Sequence, residues 1–242
     1  MTDIDKWLVV VTGASSGMGK SIAIELAPKV ETLYLVARNS KNLESVAQIP
    51  RRGAANVRSF KADLLLDEDI EKLRDDIQRN YGYLDVLIHS ASVISMGKLE
   101  HASVDDLDRQ YRTNVRAPYL LTQALLPMLK SRGGQVVFIN SSAGLNAKPE
   151  WSQYAATKHA LKAIADSLRA EVNRDGIRVL SVYPGRTATP MQEAVHKMEG
   201  KAYHPERFML AKDVSTVIIN ALTLPRSAEV TDIHIRPFKK FD

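Results

Sequence analysis

Short apolar runs alternate with longer amphipathic segments along the chain, and this alternation constrains the fold more than any other feature. The apolar runs are rich in β-branched residues, as strands buried on both faces of a parallel sheet require. They cover residues 8–11, 33–36, 86–88, 136–139 and 179–182. Strands that alternate with helices form a doubly wound sheet with helices on both faces. We therefore predict an α/β fold with three layers.

The segments between the apolar runs have helical periodicity. This periodicity predicts helices over residues 20–27, 69–81, 104–130, 154–173 and 213–222. Pro118 and Pro127 fall within the third of these helices, so we expect it to bend there. Residues 187–210 are too many for a simple connection, which predicts a small helical lid or a mobile loop. Because no linker or repeat divides the chain, we predict one domain over residues 1–242.

Composition narrows the class of protein. The chain has 242 residues, of which 45% are hydrophobic and 25% charged, and it contains no cysteine. This excludes disulfides, thiolate catalysis and cysteine-ligated metal, and it suits a cytoplasmic protein, which is the location we predict. No metal site is predicted.

Membrane and nucleic-acid partners are not expected. Residues 1–5 are acidic and show no signal peptide, and no apolar run approaches the roughly 20 residues of a membrane-crossing helix. The formal charge of +5 is spread along the chain, with tight clusters at Arg51-Arg52 and Lys239-Lys240. A basic surface for nucleic acid is the alternative, but these clusters are too small to favour it.

A glycine-rich turn follows the first predicted strand and opens the first helix, with the sequence Thr12-Gly13-Ala14-Ser15-Ser16-Gly17-Met18-Gly19. Glycines allow the backbone to approach a pyrophosphate, and a helix N-terminus supplies free N–H donors. The spacing differs from Gly-x-Gly-x-x-Gly, and a strand-to-helix turn can require a glycine for its geometry alone. The position in the first βα unit favours dinucleotide binding. The predicted contacts are Gly13, Ser15, Ser16, Gly17, Met18 and Gly19.

The end of the second strand indicates which dinucleotide binds. An Asp or Glu there would bond the ribose hydroxyls of NAD and repel a 2′-phosphate. The chain instead has Ala37 and Arg38, and the arginine is a permanent cation that can bind phosphate. An exposed loop arginine is the alternative, but with the glycine turn upstream Arg38 favours NADP(H). Asp63, followed by Leu64, lies where a carboxylate can accept from the adenine amino group, or it can serve as a turn residue.

Tyr154 and Lys158 are four residues apart, so they share one helix face. A tyrosine titrates near 10, too high for acid–base chemistry at neutral pH, and a neighbouring ammonium lowers its pKa. Ser141 and Ser142 follow the strand at 136–139, at the sheet edge where ligands bind. A hydroxyl there can hydrogen-bond a substrate oxygen on which charge develops. Together these residues predict a proton-transfer site.

With these motifs the sequence resembles the short-chain dehydrogenase/reductase family, in its simple single-domain branch, over essentially its whole length. The matching stretches are residues 12–19, Asp63, the Asn114 region, 141–144, 154–158, 184–185 and Thr189. The resemblance implies a Rossmann sheet of about seven parallel strands. It also implies a catalytic tetrad of Asn114, Ser141, Tyr154 and Lys158. Ser141 is preferred to Ser142 because its spacing to Tyr154 and to Gly144 matches the family pattern.

The resemblance also implies a role for each member of the tetrad. Tyr154 exchanges a proton with the substrate oxygen, and Lys158 binds the nicotinamide ribose and lowers the pKa of that tyrosine. Ser141 orients the substrate oxygen. Asn114 holds a water that links Lys158 to solvent, or else it is a polar residue at a helix kink.

Further cofactor contacts follow from the same resemblance. They are Ser90, Ala91, Pro184, Gly185, Thr187 and Thr189. Arg186 is a candidate for an acidic substrate group or a cofactor phosphate. The fourth strand ends His89-Ser90-Ala91-Ser92, where the family usually has Asn-Asn-Ala-Gly, and we interpret His89 as structural.

We therefore predict an NADP(H)-dependent oxidoreductase that interconverts a carbonyl and an alcohol on a small molecule. A non-catalytic dinucleotide-binding sensor or scaffold is the alternative, and the presence of both Tyr154 and Lys158 favours the enzyme. The substrate is expected to contact residues 92–96, 147–151 and 191–208, where Trp151 and Met191 indicate an apolar body. Helices 104–130 and 154–173 resemble those that pair subunits in the family, which predicts a homodimer or homotetramer.

Overall fold

The computed structural model describes residues 4–47 and 56–239, so Arg51, Arg52 and both chain ends lie outside the described residues. Its strands are β1 Leu8–Thr12, β2 Thr32–Ala37, β3 Asn56–Lys61, β4 Val86–His89, β5 Gln135–Ile139, β6 Arg178–Pro184, β7 Thr187–Ala188, β8 Met209–Leu210 and β9 Asp232–Ile235. Its helices are α1 Gly17–Leu26, α2 Ser40–Ala47, α3 Asp67–Asn80, α4 Val104–Tyr111, α5 Ala117–Lys130, α6 Ser152–Val172, α7 Pro190–Met198 and α8 Ala211–Leu222.

Seven of these strands form one parallel sheet in the order β3-β2-β1-β4-β5-β6-β9. The order reverses between β1 and β4, because the chain first builds outward through β2 and β3 and then returns to the other side of β1. A crevice opens outside the carboxyl ends of the strands at such a reversal, and ligands of doubly wound sheets bind there. The predicted fold class and strand number are confirmed.

Alternate residues of the buried strands pack against opposite helical layers. In β1, Val9 and Val11 belong to the core under α1, α2 and α8. Leu8 and Val10 belong to the core under α3, α5 and α6. Because both faces of the strand are covered, all of β1 is apolar or buried, as the continuous apolar run predicts.

The predicted helix over 104–130 is three segments. A π-helical turn, Arg112–Arg116, separates α4 from α5, so the break lies before both prolines. Pro118 follows this turn directly, at the start of α5, so the helix is interrupted beside Pro118, as expected. Pro127 lies within α5, which continues to Lys130, so the helix is not interrupted there.

Two further segments differ from, or add detail to, the sequence prediction. Helix α2 lies in a stretch for which no element was predicted. The segment 187–210 contains α7 and the short parallel pair of β7 and β8, so it is a helical excursion from the sheet. Among residues 4–47 and 56–239, no helix is long and apolar enough to cross a bilayer.

Candidate active site

A cleft of about 260 Å³ opens at the carboxyl ends of β1, β2, β4 and β5. Most of the residues predicted to contact the cofactor line it. They are Gly13, Ser15, Ser16, Gly17, Met18, Arg38, Asp63, Leu64, Ser90, Ala91, Tyr154, Lys158 and Thr189. Six separate segments of the sequence therefore meet at this edge of the sheet.

The glycine turn is packed directly against the end of β4. Gly13 has φ +66°, and a Cβ on it would lie 2.8 Å from backbone atoms of Ala91. The Thr12 hydroxyl oxygen accepts from the N–H groups of Ser90 and Ala91, at 3.1 and 3.2 Å. Glycine is required at position 13 both for its conformation and for this close approach.

Gly19 packs against the Gly13 carbonyl and does not line the cleft. Gly19 is buried, and a Cβ there would collide with the carbonyl of Gly13. Because that Cβ has no room, the start of α1 can pack closely against the turn. Gly19 therefore has a packing role in the turn, and its direct contact with a cofactor stays a prediction.

Arg38 and Asp63 lie at the far end of the cleft, after β2 and β3. Arg38 is exposed, so its guanidinium is free to reach an anion. One Asp63 oxygen accepts from the Leu65 N–H at 3.1 Å, which is the turn role that sequence analysis left open. Asp63 also lines the cleft beside Leu64, and its contact with the adenine amino group stays a prediction.

Tyr154 is buried at the first turn of α6, with 5% of its surface exposed. Burial raises the pKa of Tyr154 to about 12, and the neighbouring hydroxyls of Ser141 and Ser92 both oppose that rise. Ser142 is exposed, so of the two serines it is Ser141 that faces the tyrosine.

Lys158 is also buried and lines the same cleft. Its Nζ donates to the Ile139 carbonyl at 3.0 Å and lies 5.7 Å from the centre of the Tyr154 ring. Burial lowers the pKa of Lys158 to about 7. No lowering of the Tyr154 pKa by this amine is found, because burial is the largest cause of the shift at each residue, upward for the phenol and downward for the amine.

Asn140 is a residue of this site that sequence analysis missed. Its side-chain oxygen accepts from the Ser141 N–H at 2.9 Å, and its amide donates to the Lys158 carbonyl at 3.1 Å. Asn140 therefore ties the end of β5 to α6 and sets the spacing of the two segments. The signal was a polar residue between an apolar strand and the predicted serine.

Asn114 lies in the π-helical turn, where four hydrogen bonds use its whole side chain. Its partners are the Ser92 hydroxyl, the N–H and carbonyl of Val93 and the Thr157 hydroxyl. A side-chain amide has two donors and an oxygen with two lone pairs, so none is left over. A water beside Asn114 would have to bind its backbone, and the alternative role at a helix irregularity also holds.

The segment after β6 contributes less to the cleft than expected. Pro184 ends β6, Gly185 packs on Arg236 and Pro237, and the Thr187 hydroxyl donates to the Gly185 carbonyl. These three residues do not line the cleft that the described residues form, whereas Thr189 does.

Arg186, the candidate for a substrate or phosphate contact, does not line the cleft that the described residues form. Its guanidinium pairs with Glu199 at 2.6 Å and lies 3.2 Å from His196 Nε2. Both partners belong to the segment around α7, so Arg186 ties that segment to the end of β6. The pair is only partly buried, with about a third of the Arg186 side chain exposed, and a contact of Arg186 with a substrate or a phosphate stays a prediction.

His89 ends β4 but faces away from the cleft. Its ring stacks on Phe138 with 4.9 Å between ring centres, and Nε2 lies 2.8 Å from the Thr122 hydroxyl. Burial lowers the pKa of His89 to about 3, so the ring is neutral. The interpretation of His89 as a structural residue agrees with these contacts.

Apolar side chains pack against Tyr154 or line the cleft with it. Trp151 packs edge-on against Tyr154 with ring centres 6.1 Å apart, and Ile94 packs against the same buried cluster. Met191, from α7, lines the cleft. These apolar side chains come from three separate segments, and their contact with a substrate stays a prediction.

Comparison with known proteins agrees with this architecture. An uncharacterized oxidoreductase of Staphylococcus epidermidis is 30% identical over 98% of this chain and 100% of its own length. An alcohol dehydrogenase from Thermococcus sibiricus, complexed with 5-hydroxy-NADP, superposes with a TM-score of 0.86 at 24% identity, covering 98% of this chain and 99% of its own. A short chain dehydrogenase from Shigella flexneri, complexed with NADP, gives 0.84 at 26% identity, covering 96% and 97%.

The same relationship is found at the level of the family. The family model described as short chain dehydrogenase matches residues 7–200, which include the glycine turn, both serines, Tyr154 and Lys158. This match covers most of the chain, and the seven-stranded parallel sheet agrees with it. The chain belongs to the short chain dehydrogenase family.

Proposed function

We propose that the protein is an NADP(H)-dependent oxidoreductase that interconverts a carbonyl and an alcohol on a small, largely apolar molecule. The observation that carries the proposal is the position of Tyr154 and Lys158, both buried and both lining the cleft that contains the glycine turn. Burial of a phenol and an amine costs free energy. Groups whose pKa values are shifted by burial in a cleft are typical of functional sites.

The residues of the cleft fit a phosphorylated dinucleotide. Positive φ angles at Gly13 and Gly17 let the backbone turn tightly at the N-terminus of α1, where free N–H groups favour an anion. Arg38 follows β2, where the NAD-specific carboxylate is absent, and it supports NADP(H) over NAD(H). The NADP complex of the Shigella flexneri relative supports the same choice. When bound, the nicotinamide supplies or accepts the hydride.

The protein's own residues donate and hold the proton that is exchanged with the substrate oxygen. At neutral pH a phenol with a raised pKa is protonated, so Tyr154 can donate to a substrate oxygen on which negative charge develops. Ser141 is placed to hydrogen-bond the same oxygen. Lys158, with its pKa near 7, can hold or release a proton beside the tyrosine. Because the Tyr154 phenol is protonated at neutral pH, the site favours reduction of a carbonyl.

Removal of the phenol hydroxyl tests this function. In Tyr154→Phe we expect turnover to fall by about 100- to 10,000-fold, the usual contribution of a positioned acid or base. NADPH binding, followed by its fluorescence, should be retained. Turnover is measured at the nicotinamide absorbance on a panel of aldehydes, ketones and alcohols. Unchanged turnover in the variant would contradict the mechanism. NADPH binding without turnover of any panel member would favour the sensor or scaffold.

Reversal of the charge at Arg38 tests the cofactor. In Arg38→Asp we expect NADPH affinity to fall about 10- to 100-fold, as the loss of a charge-assisted hydrogen bond implies, with little change for NADH. Arg174→Asp is a matched control, because Arg174 is exposed after α6 and changes the net charge equally. Equal losses for the two nucleotides would contradict the proposed phosphate contact. Cytoplasmic location and homo-oligomeric assembly stay predictions.

A further inference from the structure

Two buried glutamines link helices α4 and α6 to the loop of residues 90–103, which joins β4 to α4 and is here termed the β4 loop. Gln110 is on α4 and Gln153 is on α6. The Ser95 N–H donates to Gln110 Oε1 at 3.0 Å, and Gln110 Nε2 donates to Gln153 Oε1 at 3.0 Å. Gln153 Nε2 then donates to the Ser103 carbonyl at 2.7 Å. Two points of the β4 loop are therefore tied together through two helices.

The direction of this chain of hydrogen bonds is fixed from both ends. At one end the Ser95 N–H can only donate, so the oxygen of the Gln110 amide faces it and the NH2 group faces Gln153. At the other end the Ser103 carbonyl can only accept, so the NH2 group of Gln153 faces it and the oxygen faces Gln110. Both ends require the same bond between the two amides. The reversal of either amide would place two donors or two acceptors against each other.

Both glutamines are shielded from water. Gln110 is fully buried, and only 9% of the Gln153 surface is exposed. Removal of one partner would leave a buried donor or acceptor unpaired, which costs more than the net gain of an ordinary hydrogen bond. Each amide therefore depends on the other, and the β4 loop depends on both.

Ile94 lies in the part of the β4 loop whose backbone is held on both sides. The preceding residue, Val93, has its N–H and its carbonyl bonded to the Asn114 side chain, both at 2.9 Å. The following residue, Ser95, has its N–H bonded to Gln110. The position of Ile94 is therefore set by two side chains, one from the π-helical turn and one from α4.

The Ile94 side chain lies beside the residue that is proposed to transfer the proton. It packs against the buried cluster that contains Tyr154, as Trp151 does. Val93, the residue before it, lines the cleft. Ile94 and Trp151 form an apolar surface at Tyr154, here termed the apolar wall.

We propose that Gln110 and Gln153 are positioning residues, which hold Ile94 at Tyr154 and so fix the apolar wall against which the apolar body of a substrate packs. The proposal rests on the proposed function and deepens it, because it assigns residues that select among carbonyl compounds. Neither glutamine lines the cleft that the described residues form, so both act through the β4 loop. An intact wall favours carbonyl compounds that carry an apolar group over those that lack one.

Two other contacts hold the β4 loop and are kept when Gln110 is substituted. Arg109 donates to the Ser95 hydroxyl at 2.9 Å. The Gly97 N–H donates to the Glu150 carbonyl at 2.9 Å. A substitution of Gln110 should therefore displace part of the β4 loop without a loss of the fold.

The Michaelis constants of two ketones test the proposal. Gln110→Leu nearly keeps the side-chain volume and removes both hydrogen bonds. We expect KM for acetophenone to rise about tenfold, the equivalent of about one hydrogen bond, with kcat changed by less than about twofold. KM for acetone, which has no apolar body to reach the wall, should change by less than about twofold. Gln78→Leu is the matched control, because Gln78 is exposed on α3. An unchanged KM for acetophenone, or an equal rise for both ketones, would overturn the proposal.

A double substitution tests whether Gln110 acts through Ile94. Ile94→Ala removes part of the wall itself, so it should raise KM for acetophenone by a similar factor. If Gln110 acts by holding Ile94, then the addition of Gln110→Leu to Ile94→Ala should raise KM by less than about twofold more, because coupled residues are not additive. Two effects that multiply in full would mean that Gln110 acts elsewhere, and the proposal would fail.

The fluorescence of Trp151 reports on the wall without any turnover. Trp7, the other tryptophan of the sequence, lies in the core under α1, α2 and α8 and is replaced by phenylalanine in every protein of this comparison. Acrylamide quenching should increase in Gln110→Leu and also in Gln153→Leu, which breaks the same chain from α6. In Gln78→Leu it should stay unchanged. Increased quenching without turnover of any ketone would support the wall, and only the proposed function would be lost. Unchanged quenching in both buried-glutamine variants would overturn the proposal, whatever the turnover.

Discussion

The two ends of the cleft are built in different ways. At the nucleotide end, the glycine turn presents backbone atoms and small side chains, and the exposed Arg38 supplies charge. At the proton-transfer end, Tyr154 and Lys158 are buried side chains whose pKa values are shifted by burial, in opposite directions. The nucleotide end therefore depends on backbone conformation, and the proton-transfer end depends on the burial of its two ionisable side chains.

This difference determines how each end should fail. A substitution in the turn changes the path of the backbone, so it should reduce nucleotide binding and stability together. A substitution at the buried pair removes a titrating group and leaves the backbone in place, so it should change the pH dependence. Three experiments can break or sharpen this distinction.

The largest effect is expected from Gly13→Ala. Alanine is disfavoured at φ +66° by about 1–2 kcal/mol, and its Cβ would lie 2.8 Å from the backbone of Ala91. We expect the free energy of unfolding to fall by about 3 kcal/mol or more and NADPH affinity to fall more than tenfold. Urea unfolding and NADPH titration measure the two quantities.

Gly200→Ala is a matched control for this variant. Gly200 has the same φ, +66°, but a Cβ there would meet no atom within 4 Å. Gly200→Ala should therefore carry only the conformational cost, about 1 kcal/mol, with NADPH affinity unchanged. Equal effects of the two variants would show that close approach at the turn is unimportant, and the contrast between the two ends would fail.

The second prediction concerns Lys158 and the stability of the nucleotide-free protein. Its pKa is about 7 in the folded protein and about 10.5 when unfolded, so between these values the unfolded chain binds more protons. Stability from this residue is therefore lowest below pH 7 and rises with pH. Between pH 7 and pH 9 the free energy of unfolding should gain about 2 kcal/mol relative to Lys158→Met.

Urea unfolding of both proteins across this range measures the difference. Groups other than Lys158 titrate alike in the two proteins and cancel, so the slope of the difference belongs to this amine. A flat difference would mean that Lys158 titrates normally in the folded protein. Desolvation would then not define the proton-transfer end.

The nucleotide end could be predicted from sequence because its determinants are local. Gly13 and Gly17 are read directly from their place after the first strand, and both have positive φ. The strands were likewise predictable, since burial on both faces leaves a continuous apolar run. The interruption of the long helix was expected at its prolines, but the π-helical form of the turn before Pro118 was not predictable, because such a turn has no clear sequence signal.

The proton-transfer end could be predicted only in part. Tyr154 and Lys158 share a helix, so their spacing shows that they lie together. Ser92 and Asn140 follow β4 and β5, and their contacts depend on how those strand ends meet the π-helical turn and α6, respectively. Arg186 follows β6 and was a candidate for a ligand contact, but its guanidinium forms an ion pair with Glu199. A long-range pairing of this kind has no pattern in the sequence.

The smallest predicted effect concerns His89 and tests whether a buried ionisable residue must also face the cleft to belong to the site. His89 is as buried as Tyr154 and its pKa is lowered to about 3, but it faces Phe138 and Thr122 and not the cleft. Below its unfolded pKa of about 6.5, the unfolded chain binds a proton that the folded protein refuses, so stability is lost as pH falls. Between pH 6.5 and pH 5, the unaltered protein should lose about 1.5 kcal/mol relative to His89→Gln. Because His89 is outside the cleft, NADPH affinity at neutral pH should be the same in both. A loss of affinity in His89→Gln would place this histidine in the site, and orientation toward the cleft would no longer distinguish Lys158 from it.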